Sequence, residues 1–191
     1  MIEGRGTSEE IDCRIVYVGP PGSGKSSTLR ALHGILDPSA HGRFVSPTRA
    51  DGSTPFMDLL TVELGGVAGR RLRLQLVSAP GDPGRDAVRR TILTGADGLV
   101  FVADSAPARL RANEQALATL RRDLDELGHP ELLPLVYQYN KRDLPDAIPL
   151  DDLDRALNPV GHPFFSSIAE RREGVVDPLT AVSERLIRAL T

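Results

Sequence analysis

Lysine is almost missing from this sequence. Of 23 Lys and Arg residues, only Lys25 and Lys141 are lysine. A compact ammonium on a flexible stem does something that a planar guanidinium does not, so these two positions are singled out before any motif is read. Cysteine occurs once, at Cys13, which rules out an internal disulfide and fits a reducing compartment. No apolar run approaches the ~20 residues that span a bilayer. A secretory leader pattern is missing, Met1 is not followed by glycine, and no cysteine stands at the C-terminus for prenylation. A cytoplasmic protein without a direct lipid anchor is therefore expected. Excess positive charge is missing too: the net charge is −3, against bulk nucleic-acid binding. The doublets Arg70-Arg71, Arg89-Arg90, Arg121-Arg122 and Arg171-Arg172 are expected on solvated surface, interleaved with acids.

With 191 residues, 40% hydrophobic and 26% charged, one domain with ample core is expected over residues 1–191. Residues 1–10 are expected to be a flexible N-terminus. Ile2-Glu3-Gly4-Arg5 matches a factor Xa cleavage sequence, so residues 1–6 read in part as a remnant of a fusion.

What the chain has is Gly19-Pro20-Pro21-Gly22-Ser23-Gly24-Lys25-Ser26-Ser27, between an apolar run ending at Val18 and a helical pattern from Thr28 to Leu32. A glycine-rich turn between strand and helix, ending Gly-Lys-Ser, cradles phosphate. Its glycines let successive backbone N–H groups converge on an anion, and the opening helix adds its positive dipole end. Lys25 can reach β- and γ-phosphates, and the Ser26 hydroxyl can hold Mg²⁺. Gly19, Gly22, Ser23, Gly24, Lys25, Ser26 and Ser27 are the phosphate-binding candidates.

Strands are expected over 13–18, 57–64, 71–77, 98–103, 135–139 and 164–165. Helices are expected from the phosphate loop to about Gly34, over 86–93, 110–127 and 150–157, and from Asp177 onward, with Asp177 as N-cap and Pro178 in the first helical position. Leu117, Leu120, Leu124 and Leu127 line one helical face. Residues 37–55 show no periodicity, and a long structureless loop in a compact domain is usually functional. The second and third strands form an antiparallel hairpin around 65–69; the remaining strand–helix alternation predicts an α/β fold with a mostly parallel six-stranded sheet covered on both faces. In such sheets ligands gather at the C-terminal strand ends.

After the strand ending at Tyr139 comes Asn140-Lys141-Arg142-Asp143. A carboxylate here accepts from both the ring N–H and the exocyclic amino group of guanine. Adenine offers a lone pair at that edge, and sites built this way discriminate ~10⁴-fold. Lys141 can lay its stem on the base, and Asn140 can tie this loop to the phosphate loop. Together with the phosphate loop, Asp143 points to a guanine nucleotide.

Ile15 to Pro20, Asp97 to Ser105 and Gln138 to Pro145 resemble the P-loop GTPases of the Ras-like superfamily, and among them the bacterial MglA-type small GTPases of cell polarity and gliding motility. The likeness covers nearly the whole chain. It implies the Ras-like three-layer fold, GTP/GDP and Mg²⁺ as ligands, and a roadblock-fold, MglB-like homodimer plus effectors as partners of a chain that is monomeric alone. It implies recruitment to a pole or membrane through those partners. Residues 37–55 become switch I, with Thr54 (or Thr48) sensing Mg²⁺ and γ-phosphate; residues 79–90 become switch II, with the Gly81 N–H at the γ-phosphate. Ser167, Ile168 and Ala169 would meet the guanine oxygen.

The sequence departs from the wider family at four places. Ser78 stands where Ras-like proteins have aspartate, a change shared by MglA-type proteins. Asp82 replaces the water-orienting glutamine, Ser53 falls where the subfamily carries its own arginine finger, and Pro21 replaces a phosphate-loop glycine. Slow or absent intrinsic hydrolysis is expected; Arg49 and Arg85 read as solvated loop arginines, with a substitute-finger role for either as the alternative. Two other readings are a catalytically degenerate, GTP-bound scaffold and an ATP-dependent P-loop enzyme.

Overall fold

The structure, a computed structural model, describes residues 10–46, 57–67, 70–128 and 133–190. Its strands are β1 (Glu10–Val18), β2 (Leu59–Val67), β3 (Arg70–Ser78), β4 (Gly98–Asp104), β5 (Leu135–Asn140) and β6 (Phe164–Ser166). Its helices are α1 (Lys25–Ile35), α2 (Asp86–Leu93), α3 (Leu110–Glu126), α4 (Leu150–Leu157) and α5 (Val176–Leu190). The six strands form one sheet in the order β2-β3-β1-β4-β5-β6. Among the strands of the described residues only the β2–β3 pair is antiparallel; β1 pairs with β3 and β4, β4 with β5, and β5 with β6, all in parallel.

Sequence dictates the layering. Every residue of β4 is buried, as a near-continuous Leu/Val/Phe run must be when helices cover both faces. On one face Leu29 and Leu32 of α1 join Val182 and Leu186 of α5 over Ile15, Tyr17 and Leu74. On the other, Ile92 and Leu93 of α2, Leu117, Leu120 and Leu124 of α3 and Leu153 and Leu157 of α4 cover Val16, Phe101 and Tyr139. Each fully buried leucine or isoleucine contributes about 1.5–3 kcal/mol of transfer free energy, so the two apolar layers hold the sheet between them.

Several boundaries differ from expectation. β1 starts at Glu10, three residues early, because Asp12 pairs bidentately with Arg73 of β3 at 2.6 and 2.8 Å; Glu10 is strand rather than flexible tail. Within residues 37–46, the described part of the supposedly structureless loop, His41 pairs with Val62 and Val45 with Leu59, antiparallel to β2. α5 begins at Val176, so Asp177 lies inside the first turn rather than capping it. Pro178 is still tolerated there, where backbone N–H groups have no intrahelical acceptor.

The solvated reading of Arg89-Arg90 is corrected. Arg89 is 8% exposed, and its Nε donates to the fully buried Asp123 of α3 at 2.7 Å while Nη2 donates to Asp86 at 2.7 Å. Arg90 Nε reaches the other Asp123 oxygen at 3.1 Å. α2 is thereby fastened to α3 by a shared carboxylate. Replacing Asp123 by alanine removes the buried counter-charge of Arg89 and leaves it only the exposed Asp86, at a cost of about 3–5 kcal/mol. Thermal unfolding of Asp123→Ala should show a midpoint lowered by roughly 10 °C, whereas Arg155→Ala, which removes an exposed pair with Asp152, should stay within about 0.5 kcal/mol of the parent.

Candidate nucleotide-binding site

The loops after β1, β3, β4 and β5 meet at the C-terminal rim of the sheet, a consequence of parallel pairing. The first is the phosphate loop. Lys25 opens α1, is 8% exposed, and donates through Nζ to the carbonyls of Gly19 (2.9 Å) and Pro20 (2.8 Å). Burial pulls its pKa down from 10.5 to about 8; Asp82 and Asp58 pull the other way, and Arg109 adds to the depression. α1 begins with no side-chain cap and no acid in its first turn, the arrangement in which N-terminal N–H groups suit an anion. Ser26 is half-buried in that first turn.

Asn140 holds two loops in register. Its Nδ2 donates to the Ser23 carbonyl at 2.8 Å, and its Oδ1 accepts from Ser167 Oγ and the Ala169 N–H, both at 3.0 Å. Gly24 makes this approach possible: at φ 102° it has a conformation side chains rarely adopt, and a Cβ there would collide with Asn140 Nδ2. Beneath, Gln138 Nε2 donates to Thr28 Oγ1 and Ser167 Oγ, both at 2.9 Å.

Beside this tie lies a cavity of about 300 Å³ lined by Gly22, Gly24, Ser27, Asn140, Lys141, Asp143, Leu144, Ile168, Ala169 and Glu170. The structure therefore brings together most of the residues singled out on both loops. Asp143 is an exposed residue at the cavity rim, with Arg171 Nη2 at 3.8 Å from its Oδ2. Lys141 takes φ 64° and its Nζ donates to Asp104 Oδ2 at 2.7 Å, so its stem, not its charge, borders the cavity. Ser27 Oγ donates to Glu170 at 2.9 Å. The loop after β6 holds its amides internally: Ser167 N–H goes to the Tyr139 carbonyl, Ile168 N–H to that of Glu173, and Ala169 N–H to Asn140. A guanine oxygen reaches Ala169 only by sharing that last N–H.

Switch II packs directly on the phosphate loop. A Cβ on Gly81 would sit 2.5 Å from the Gly19 carbonyl oxygen and 2.8 Å from Pro20 and Pro21 backbone atoms, so only glycine fits. Asp82 is exposed and Arg85 half-buried. Both line, or flank, a second cavity of about 410 Å³ between the phosphate loop, residues 81–84 and α3. Thr48, Arg49, Ser53 and Thr54 lie outside the described residues.

Asp58, just before β2, is a site residue that sequence reasoning passed over. It is fully buried. Oδ1 accepts from Ser46 Oγ at 2.5 Å and Oδ2 from Ser78 Oγ at 2.8 Å, while its own N–H donates to Ser78 Oγ at 2.9 Å. A carboxylate thus stands against the Ser78 hydroxyl, contributed by the residue just before β2. The available signal was an acid opening the otherwise apolar Met57-Asp58-Leu59-Leu60.

No family model matches the chain. It is similar to the mutual gliding-motility protein MglA of Myxococcus xanthus (strain DK1622), with 38% identity over 185 residues, 96% of this chain and 95% of that protein. By that likeness over almost its full length, the chain belongs to the MglA-type small GTPases, Ras-like P-loop switches that bind guanine nucleotides.

Proposed function

We propose that residues 1–191 form a single G domain that switches between GDP and GTP, with partners reading the ordering of residues 37–55 and 79–90. The observation that carries this reading is the Asn140 tie, which fixes a base-selecting carboxylate relative to a phosphate loop. Asp143 accepts from the guanine ring N–H and amino group. The N–H groups from Gly22 to Ser27 and the Lys25 ammonium take the phosphates, and Lys25 turns from the Gly19 and Pro20 carbonyls toward the β- and γ-oxygens. The Gly81 N–H, already against the phosphate loop, meets the γ-phosphate. Ser167, Ile168 and Ala169 close the far side of the base.

The donor set fits Mg²⁺: a half-buried Ser26 hydroxyl beside the phosphates, Thr54 or Thr48 from switch I, and a buried Asp58 carboxylate in electrostatic contact with Lys25. A sparse protein set suits a cation that keeps several waters and takes substrate phosphates. Bound there, it would neutralise charge across the β- and γ-oxygens.

Asp82 carries a charge that a γ-phosphate repels, and it cannot orient water as glutamine does. Hydrolysis by the chain alone is accordingly slow. Its regulator is of the MglB-like roadblock type, its effectors act in polarity or in motility, the latter being what the relative's name carries, and those partners rather than a lipid carry it to a pole or membrane. Ser53 and Asp82 also favour a second reading, a GTP-loaded scaffold; nucleotide-dependent partner binding separates the two.

Calorimetry should show GDP bound far more tightly than ADP, with a preference on the order of 10⁴ that collapses in Asp143→Ala; equal binding of ADP would sink the assignment. Single-turnover GTP hydrolysis should run near ~10⁻⁴ s⁻¹, the unassisted Ras-like scale, and a rate of several per second would contradict the catalytic reading. Phosphate binding restores the Lys25 charge that burial suppresses, so binding takes up a proton once the solution passes the free protein's value of about 8. GDP affinity should therefore fall above pH 8, by up to about tenfold per unit, and Lys25→Met should flatten that dependence. In the nucleotide-free protein the sign reverses. Between about 8 and 10.5 the unfolded chain holds more protons on Lys25 than the folded one, so this group's contribution to stability rises with pH.

A further inference from the structure

Asp104, the last residue of β4, is 2% exposed and is fixed from every side. Its N–H donates to Asn113 Oδ1 at 3.0 Å, and its carbonyl accepts from Asn113 Nδ2 at 2.8 Å. Its Oδ1 accepts from the Ala106 N–H at 3.1 Å. Two cations converge on Oδ2: Lys141 Nζ at 2.7 Å and Arg109 Nε at 3.8 Å. The other end of the Arg109 guanidinium, Nη2, donates to the Pro21 carbonyl at 2.5 Å. A continuous chain of charge and hydrogen bonds thus runs from the base loop, through a buried carboxylate, to the phosphate loop.

The last link has a directional consequence. A peptide unit is planar and trans, so the Pro21 carbonyl and the Gly22 N–H point to opposite sides of it. Holding that carbonyl on the α3 side holds the Gly22 N–H toward the concave, phosphate-facing side of the loop. Pro21 contributes no N–H of its own, which makes the aim of Gly22 more consequential here than in a loop with glycine at that place. Lys25 already grips the carbonyls of Gly19 and Pro20, and Arg109 completes the series at Pro21. The Arg109 side chain is 38% exposed and Asp104 2%, so the two ends of this link are unequal: the buried carboxylate is the anchor and the arginine the moving arm.

We propose that Asp104 and Arg109 are positioning residues that couple base recognition to the phosphate loop, Asp104 seating Lys141 against the base and Arg109 aiming the Gly22 amide at the phosphates. This rests on the guanine-nucleotide reading above. A merely structural arginine would weaken every ligand alike or none. An aiming arginine weakens only ligands that carry phosphate.

The test is competition against a fluorescent GDP analogue with GDP and guanosine, using the full chain and its variants Arg109→Ala, Asp104→Asn and the double variant. Arg109→Ala should lose tenfold or more in GDP affinity while guanosine changes less than twofold. Asp104→Asn should weaken both ligands. The double variant should lose less GDP affinity than the product of the single losses, since both changes cut one chain. Arg109→Lys, too short to serve Asp104 and Pro21 together, should recover part of the GDP affinity but behave additively with Asp104→Asn. GDP affinity within twofold of the parent in Arg109→Ala, equal losses for GDP and guanosine, or additive losses in the double variant would overturn the coupling. If Arg109→Ala does not fold, Arg109→Gln, which keeps one donor without charge, carries the same comparison. Failure of the parent chain to bind GDP at all would instead strike the underlying nucleotide reading.

Discussion

A single side-chain amide sets the geometry on which this site depends. Asn140 donates to the phosphate loop and accepts from the loop after β6, so three segments distant in sequence are held within hydrogen-bond length of one group. It does so from the end of a buried strand, where its own backbone cannot move without disturbing β4 and β6 on either side. Removing one partner of a buried hydrogen bond leaves the other unsatisfied, and that penalty exceeds the modest net gain of forming the bond. The constraint is therefore stiff in both directions: the base loop cannot drift from the phosphate loop, and the phosphate loop cannot open away from the base.

Around that constraint the protein redistributes charges that a Ras-like site keeps elsewhere. Ser78 carries no carboxylate, and Asp58, just before β2, sets one against it, with the Ser78 hydroxyl accepting from its amide and donating to its side chain. The Lys141 ammonium does not lie free at the base but rests on Asp104. Arg89, on α2, is bound at both ends to carboxylates. Each substitution keeps a buried charge paired, as the desolvation cost of an isolated one demands.

Much of this was legible in the residues themselves. The phosphate loop and the base tetrapeptide are local motifs whose spacing carries their chemistry, and the apolar periodicities of α3 and β4 follow from burial on one face or two. What escaped was pairing between distant positions. Nothing in Arg89-Arg90 distinguishes a solvated doublet from one facing a buried aspartate thirty-odd positions on, since both have the same local composition. Asp58 was not singled out because its partners, Ser46 and Ser78, lie on other segments. The start of β1 was misjudged for the same reason: Asp12 is poor strand material until Arg73 stands beside it. The Asp177 cap failed differently, through a boundary that moved by two residues while the helix itself stood.

The short pairings of His41 and Val45 with β2 bear on how this molecule behaves in a crowded solution. An unpaired strand margin is a template for another chain, and here the chain's own loop lies along it, while the opposite margin, β6, is only three residues long. A sheet shielded in this way is poorly suited to self-association through its rims. Because the shielding segment is continuous with the residues read as a nucleotide sensor, a movement there that lifts it from β2 also changes how sticky that side of the protein is.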